Sequence, residues 1–130
     1  MGVKSFLAKI LYLHILHKYG CRIYSSAKVE RGFYIAHPVG IVIGKCTIGK
    51  NFTIHQNCTV GTSKIGWDAK GYCPKIGNNV MMYANSLIVG KVNVGDDITL
   101  GAISLIIKDT ATAGVYVGSP AKRLECQQEK

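Results

Sequence analysis

From Ile76 onward a branched or long apolar residue returns at every sixth position, through Met82, Ile88, Val94, Leu100 and Ile106. Neither a helix period of about 3.6 nor a strand period of about 2 generates that interval, so it points to a structural unit six residues long. The same interval runs upstream in two blocks, Ile23, Val29 and Ile35, then Val42, Ile48, Ile54 and Val60. The fourth residue after most of these is small or apolar, as Ala27, Val39, Cys58, Val80, Ser86, Val92, Ile98 and Ser104 show. Two positions in each six are therefore expected to face one interior. So short a unit cannot bury its apolar side alone and must stack on copies of itself. Three such strands joined by turns close a triangular coil, and successive coils hydrogen-bond about 4.8 Å apart. The pattern predicts an all-β parallel β-helix of about four or five coils. Gly49, Gly61, Gly77, Gly95 and Gly101 follow inward positions and are read as tight corners.

The pattern changes at both ends and breaks twice inside. Residues 2–19 place Val3, Phe6, Leu7, Ile10, Leu11 and Leu13 mostly three or four apart, with Lys4, Lys9 and Lys18 elsewhere, which predicts a short amphipathic helix ended by Gly20. Two jobs fit it: capping the open edges of the first coil, or docking on a membrane surface. The chain then divides into a helix (1–20), a β-helix domain (21–124) and a tail (125–130). Between Ile35 and Val42 the interval is seven, and His37-Pro38 sits at that irregularity. Between Val60 and Ile76 lie Gly61, Gly66, Gly71, Pro74 and the only tryptophan, Trp67, so residues 61–75 read as a loop extruded from one corner.

Composition narrows the picture. At 130 residues and 48% hydrophobic content the chain holds one core. Five cysteines form no CxxC pair and leave one over, which suits a reducing cytoplasm. The apolar run from Ile10 to Leu16 is interrupted by His14 and is too short to span a bilayer; Phe6 stands where a myristoylation signal needs Ser or Thr. The net charge is +9, and residues 1–31 carry six basic side chains against Glu30 alone. A solvated face, an anionic lipid surface and an anionic cofactor all fit that excess. Nucleic acid does not, because no stacking platform of aromatics accompanies the charge.

Candidate chemistry centres on histidine, the natural base near neutral pH. His37 and His55 lie eighteen residues apart, about one coil, and are expected to stack along one edge; His14 and His17 fall on the helix surface. A histidine on a coil is as a rule a packing residue, but His37 coincides with a break in register. No GxSxG, P-loop, HExxH or paired-carboxylate motif is present. Cys73, beside Pro74, has no adjacent base in sequence to activate it as a nucleophile. Two suitably placed histidines are too few for a three-histidine zinc site, so no metal is expected.

The stretch Ile35-Ala36-His37-Pro38-Val39-Gly40-Ile41-Val42-Ile43-Gly44, with Ile54 to Gly61, Pro74-Lys75-Ile76-Gly77 and Gly118-Ser119-Pro120-Ala121-Lys122, resembles the serine O-acetyltransferase branch of the left-handed β-helix hexapeptide acyltransferases. The resemblance covers about residues 20–124. It implies the left-handed coil, against the usual crossover rule, a homotrimer, and acetyl-CoA as co-substrate. It implies His37 as catalytic base and Ala84, Ala102, Ile107, Lys108 and Lys122 as the cofactor-binding positions. The acceptor would meet His55, Gln56, Asn57, Trp67, Tyr72 and Cys73. Two departures bear on that acceptor: Ala36 stands where serine-specific enzymes carry aspartate, and Cys73 where they carry histidine. Small chains of this type resemble the O-acetyltransferases of capsule, exopolysaccharide and lipopolysaccharide synthesis, so a sugar hydroxyl is the expected acceptor. Serine acetylation for cysteine synthesis and a catalytically silent scaffold or membrane-docking subunit are the alternatives. The expected location is the cytoplasm, at the inner membrane face if the helix docks there.

Overall fold

The computed structural model describes residues 3–64 and 71–125. Helix α1 spans Val3–Tyr19, and Gly20 ends it with φ near +62°, its N–H donating to the Leu16 carbonyl at 2.9 Å. Among the described residues fifteen short strands follow, numbered in chain order, and they stack into three parallel sheets that form the sides of a prism. The first sheet holds β1 (Arg22–Ile23), β4 (Val42–Ile43), β7 (Thr59–Gly61), β10 (Leu87–Val89) and β13 (Leu105–Ile106). The second holds β2 (Lys28–Val29), β5 (Thr47–Ile48), β8 (Lys75–Ile76) and β11 (Asn93–Val94). The third holds β3 (Tyr34–Ile35), β6 (Thr53–Ile54), β9 (Met81–Met82), β12 (Ile98–Leu100) and β14 (Gly114–Val117), closed by antiparallel β15 (Lys122–Arg123). The chain visits the sheets in rotation, making five left-handed coils.

The core is three columns of stacked side chains. Ile43, Val60, Ile88 and Ile106 are in register on the first sheet; Ile48, Ile76 and Val94 on the second; Ile54, Met82, Leu100 and Tyr116 on the third. All are buried. Each full aliphatic burial stabilises by about 1.5–3 kcal/mol, and truncating a central one such as Ile88 to Ala costs about 2–5 kcal/mol. The first coil is less well covered: Ile23, Val29 and Ile35 are only half-buried. Helix α1 reaches it through Tyr12, Leu16 and Tyr19, which are half-buried, and leaves the rest of its surface in solvent.

Three sequence expectations shift. Inward on β4 is Ile43, with Ile41 just before it, whereas Val42 points outward and Val39 is exposed. Glycine also has a different use. The left-handed corner positions belong to Asn51, Asn57, Asn79, Asn85, Asp97 and Ile103, all with φ of 55–61°, and not to the repeat glycines. Gly49, Gly77 and Gly95 instead form a column of close approach, where a Cβ on Gly49 would lie 2.6 Å from the Gly77 carbonyl oxygen and one on Gly77 would lie 2.7 Å from the Gly95 carbonyl carbon. The helix, finally, is apolar on more than one side and is not cleanly amphipathic.

Candidate active site

The turns that lead from the third sheet to the first stack into one corner, and His37, His55 and Tyr83 lie on it. The His37-Pro38-Val39-Gly40 turn is held from both sides: Val39 N–H donates to the His37 carbonyl at 2.9 Å, and Asn57 N–H to the Val39 carbonyl at 2.8 Å. Gly40 has φ near +64°, where a side chain is strained, and a Cβ there would meet the end of the Asn57 side chain. The turn leaves the His37 side chain exposed.

His55 is held more tightly. Its Nδ1 is 2.9 Å from the Met82 carbonyl oxygen. A carbonyl only accepts, so the neutral ring carries its proton on Nδ1 and presents Nε2 as a hydrogen-bond acceptor. The ring stacks on Tyr83, with centroids 4.9 Å apart and planes at 23°. The His37 ring is 6.2 Å away on its other side. Sequence spacing brought these histidines together, but β3 pairs with β6 at an offset of nineteen residues, Tyr34 opposite Thr53, so His55 continues the Ala36 column. Gln56 continues Val39, whose carbonyl accepts from Asn57 N–H as that of Gln56 accepts from Asn85 N–H, and His37 and Pro38 lie between as extra residues.

Gln56 and Ala84 occupy successive coils of this corner, with Asn85 N–H donating to the Gln56 carbonyl at 3.1 Å. Ala102 follows in the next, where Ile103 N–H donates to the Ala84 carbonyl at 3.0 Å. Their carbonyls and those of their neighbours are fixed from inside the prism. Ser86 Oγ donates to the Tyr83 carbonyl at 2.6 Å, Cys58 Sγ donates to the same oxygen at 3.0 Å, and Ser104 Oγ donates to the Ala102 carbonyl at 3.2 Å. The small inward residues of the repeat thus pin the backbone that carries the outward ones. Among the described residues the buried Gln56 Oε1 has no hydrogen-bond partner. A buried acceptor left without a donor costs about 1–3 kcal/mol, and a ligand amide N–H is the kind of group that would satisfy it.

The other expected site residues lie elsewhere on the prism. Ile107, Lys108 and Lys122 line a cavity of about 220 Å³ at the last coil, together with Tyr116 and Thr110. Tyr72 and Cys73 do not reach His37 within one chain. They lie at the corner between the first and second sheets, where the Pro74 carbonyl accepts from Thr47 N–H at 3.1 Å. Cys73 lies near Cys46, whose thiol is pushed up to about 11 by burial and then by its neighbour Cys73. Trp67 lies outside the described residues. Among the described residues no three His, Cys, Asp or Glu side chains come together as a metal site. Tyr83 was not anticipated; its signal is that it follows the inward Met82 as His55 follows Ile54, visible once the loop is removed from the count.

The chain matches no protein-family model. It is 38% identical over 107 residues to the serine acetyltransferase of Helicobacter pylori strain 26695, an alignment covering 81% of this chain and 61% of that protein. The Staphylococcus aureus (strain Mu50) serine acetyltransferase is 33% identical over 102 residues, which is 78% of this chain and 47% of the other. Among solved structures, Neisseria gonorrhoeae serine acetyltransferase superposes with a TM-score of 0.80 at 31% identity, over 95% of this chain and 48% of that one. A serine acetyltransferase in complex with CoA gives 0.76 at 28%, over 91% and 48%. In sequence and fold the chain is thus similar to part of these serine acetyltransferases. It spans 61% of the Helicobacter protein and about half of the others.

Proposed function

We propose that this chain transfers an acetyl group from acetyl-CoA to a hydroxyl, with His37 as general base. The observation that carries the reading is the histidine corner itself: an exposed imidazole faces a second one of fixed tautomer, above a column of small residues and an unpartnered buried amide oxygen. His37 would take the proton of the acceptor hydroxyl as that oxygen attacks the thioester carbonyl. As the tetrahedral intermediate collapses, the carbon–sulfur bond breaks and the same ring returns the proton to the leaving thiolate, giving an ester and free CoA thiol. His55 Nε2 would accept from an acceptor hydroxyl. Ala84 and Ala102 leave room for the pantetheine arm, whose amide N–H groups suit Gln56 Oε1, and Lys108 and Lys122 would meet phosphates as point charges.

The corner is open on one side, and the cavity at the last coil is smaller than the ~300–1,000 Å³ usual for ligand pockets. A second prism would supply the missing wall. A homotrimer does this three times and sets the Tyr72–Cys73 corner of one copy free to face the His37 corner of the next.

The relatives' names favour L-serine as acceptor over the sugar hydroxyl expected from sequence. A sugar remains the second reading on one observation: Ala36, Gln56, Asn57, Tyr83, Ala84 and Asn85 at this corner are all neutral. An amino acid's ammonium and carboxylate need charged or multiply hydrogen-bonded partners when desolvated. The deciding experiment follows thiol release from acetyl-CoA with L-serine beside a panel of nucleotide sugars and oligosaccharides. Turnover with serine alone selects the first reading and turnover with a sugar alone the second. Release with none of them, and no hydrolysis, leaves the chain a scaffold.

A further inference from the structure

Helix α1 has two sides, and the prism uses only one. Tyr12, Leu16 and Tyr19 turn toward the first coil, and Ser5 and Lys9 line a cleft with Ile23, Tyr24 and Ser25. The opposite side is apolar and uncovered: Phe6 is 56% exposed, Leu7 55%, Ile10 47% and Leu13 40%. Spacings of three and four place these four side chains along one strip. At about 100° per residue Lys4 and Lys18 fall on one flank of the strip, among the exposed Leu11 and Ile15, and Lys9 on the other, at the rim of the cleft.

We infer that this strip docks in the plane of an anionic lipid surface. Charge decides between that occupant and a second copy of the chain. Residues 3–29 contain no acid, so helices from two copies would bring Lys4, Lys9 and Lys18 against their own kind. Anionic headgroups complement the same lysines, whose stems can lie along the apolar strip while their ammonium groups reach outward. Crossing the bilayer is not the mode: no described helix is long and apolar enough. Arg22, Lys28 and Arg31 extend the positive surface onto the first coil beside the helix. The docked end is also the His37 end, because Gly40, three residues past His37, donates its N–H to the carbonyl of Tyr19, the last residue of the helix.

The test is flotation of the full chain with phosphatidylcholine vesicles and with mixed phosphatidylcholine–phosphatidylglycerol vesicles, and it makes no use of catalysis. The expected result is flotation with the mixed vesicles, weakened by salt and by a Lys4→Glu/Lys9→Glu/Lys18→Glu variant. A Phe6→Ser/Ile10→Ser variant should lose about tenfold or more of the binding with an unchanged melting temperature, since neither side chain packs on the prism. No flotation with anionic vesicles overturns the inference, as does equal flotation of the Phe6→Ser/Ile10→Ser variant. A fall in oligomer mass by light scattering in that variant, without vesicles, assigns the strip to a second copy and overturns it too.

Discussion

Two corners of the prism are built on the same repeat and end in opposite states. At the corner between the second and third sheets the outward asparagine and aspartate side chains form hydrogen-bonded ladders from coil to coil. Asn51 Nδ2 donates to Asn79 Oδ1 and Asn79 Nδ2 to Asp97 Oδ1, both at 2.9 Å, while Lys50 N–H donates to Asn78 Oδ1 at 2.8 Å and Asn78 N–H to Asp96 Oδ1 at 2.6 Å. At the corner between the third and first sheets the backbone is equally well pinned, but among the described residues the outward side chains form no hydrogen-bonded ladder with one another. His37 is exposed, His55 keeps an open Nε2, and Gln56 Oε1 is buried without a partner. A repeat that satisfies its own polar groups makes structure. Where it fixes the backbone and leaves polar groups unsatisfied, it makes a site.

The largest effect expected from this contrast is catalytic. His37→Ala should lower acetyl transfer by about 10²–10⁴-fold, the usual contribution of a general base, and leave the melting temperature unchanged because the ring packs against nothing it supports. Activity above about a tenth of the parent's would remove His37 from the base role.

The corner between the first and second sheets supplies the next test, through pH. The Cys46 thiol is buried and pushed up from 9.0 to about 11. Above pH 9 the unfolded thiol ionises while the folded one does not, so stability is intact below pH 9 and falls as pH rises toward 11. The loss should reach about 2–3 kcal/mol, from about 1.4 kcal/mol for each pH unit of difference. Denaturant melts at pH 8 and pH 11 of the parent and of Cys46→Val measure it. An equal alkaline loss in both proteins would assign it to other groups.

The engaged corner should behave in the reverse way to the histidine corner. Asn79→Ala removes two ladder hydrogen bonds and puts a Cβ-bearing residue without a compensating side-chain bond at φ near 55°. About 2 kcal/mol of stability should go, with acetyl transfer per folded molecule unaltered. Asn79→Gly, which keeps the backbone at ease, should lose less. If transfer falls with the melting temperature held, the division between corners fails.

Much of this was readable before the structure, and the parts that were not have physical reasons. The hexads from Ile76 to Ile106 are legible because the six-residue interval runs through them without a break, and all six are buried. In Ile41-Val42-Ile43 three branched residues run together, so alternation alone fits either face; Gly44 N–H bonding to the Val60 carbonyl at 2.7 Å decides for Ile43. His37 was legible from its break in register, but Tyr83 was hidden by the loop that separates it from His55 in sequence. Cys73 and Tyr72 were grouped with His37 by resemblance, and a prism side keeps them apart within one chain. The helix misled because its apolar residues occur at helical intervals on two sides, one packed and one open.

The smallest effect comes from an exception inside the histidine corner. Asn57 and Asn85 take its left-handed position in two coils, and in the next Ile103 does, with φ near 58°. A β-branched side chain there is strained, by about 1–2 kcal/mol for an ordinary L residue, and at 75% exposure it regains nothing by packing. Ile103→Asn should therefore stabilise the chain by about 1 kcal/mol, a rise of about 3–5 °C in melting temperature for a domain of this size. Strain that one substitution would relieve tends to sit where the side chain has a use. Ile103 follows Ala102 at the foot of the column proposed for the pantetheine arm, and an exposed apolar side chain there would cover that arm. The same variant should then show a higher KM for acetyl-CoA with kcat nearly unchanged. A gain in stability with the KM unmoved would separate Ile103 from the site, and no gain at all would mean that the corner does not select asparagine for its backbone.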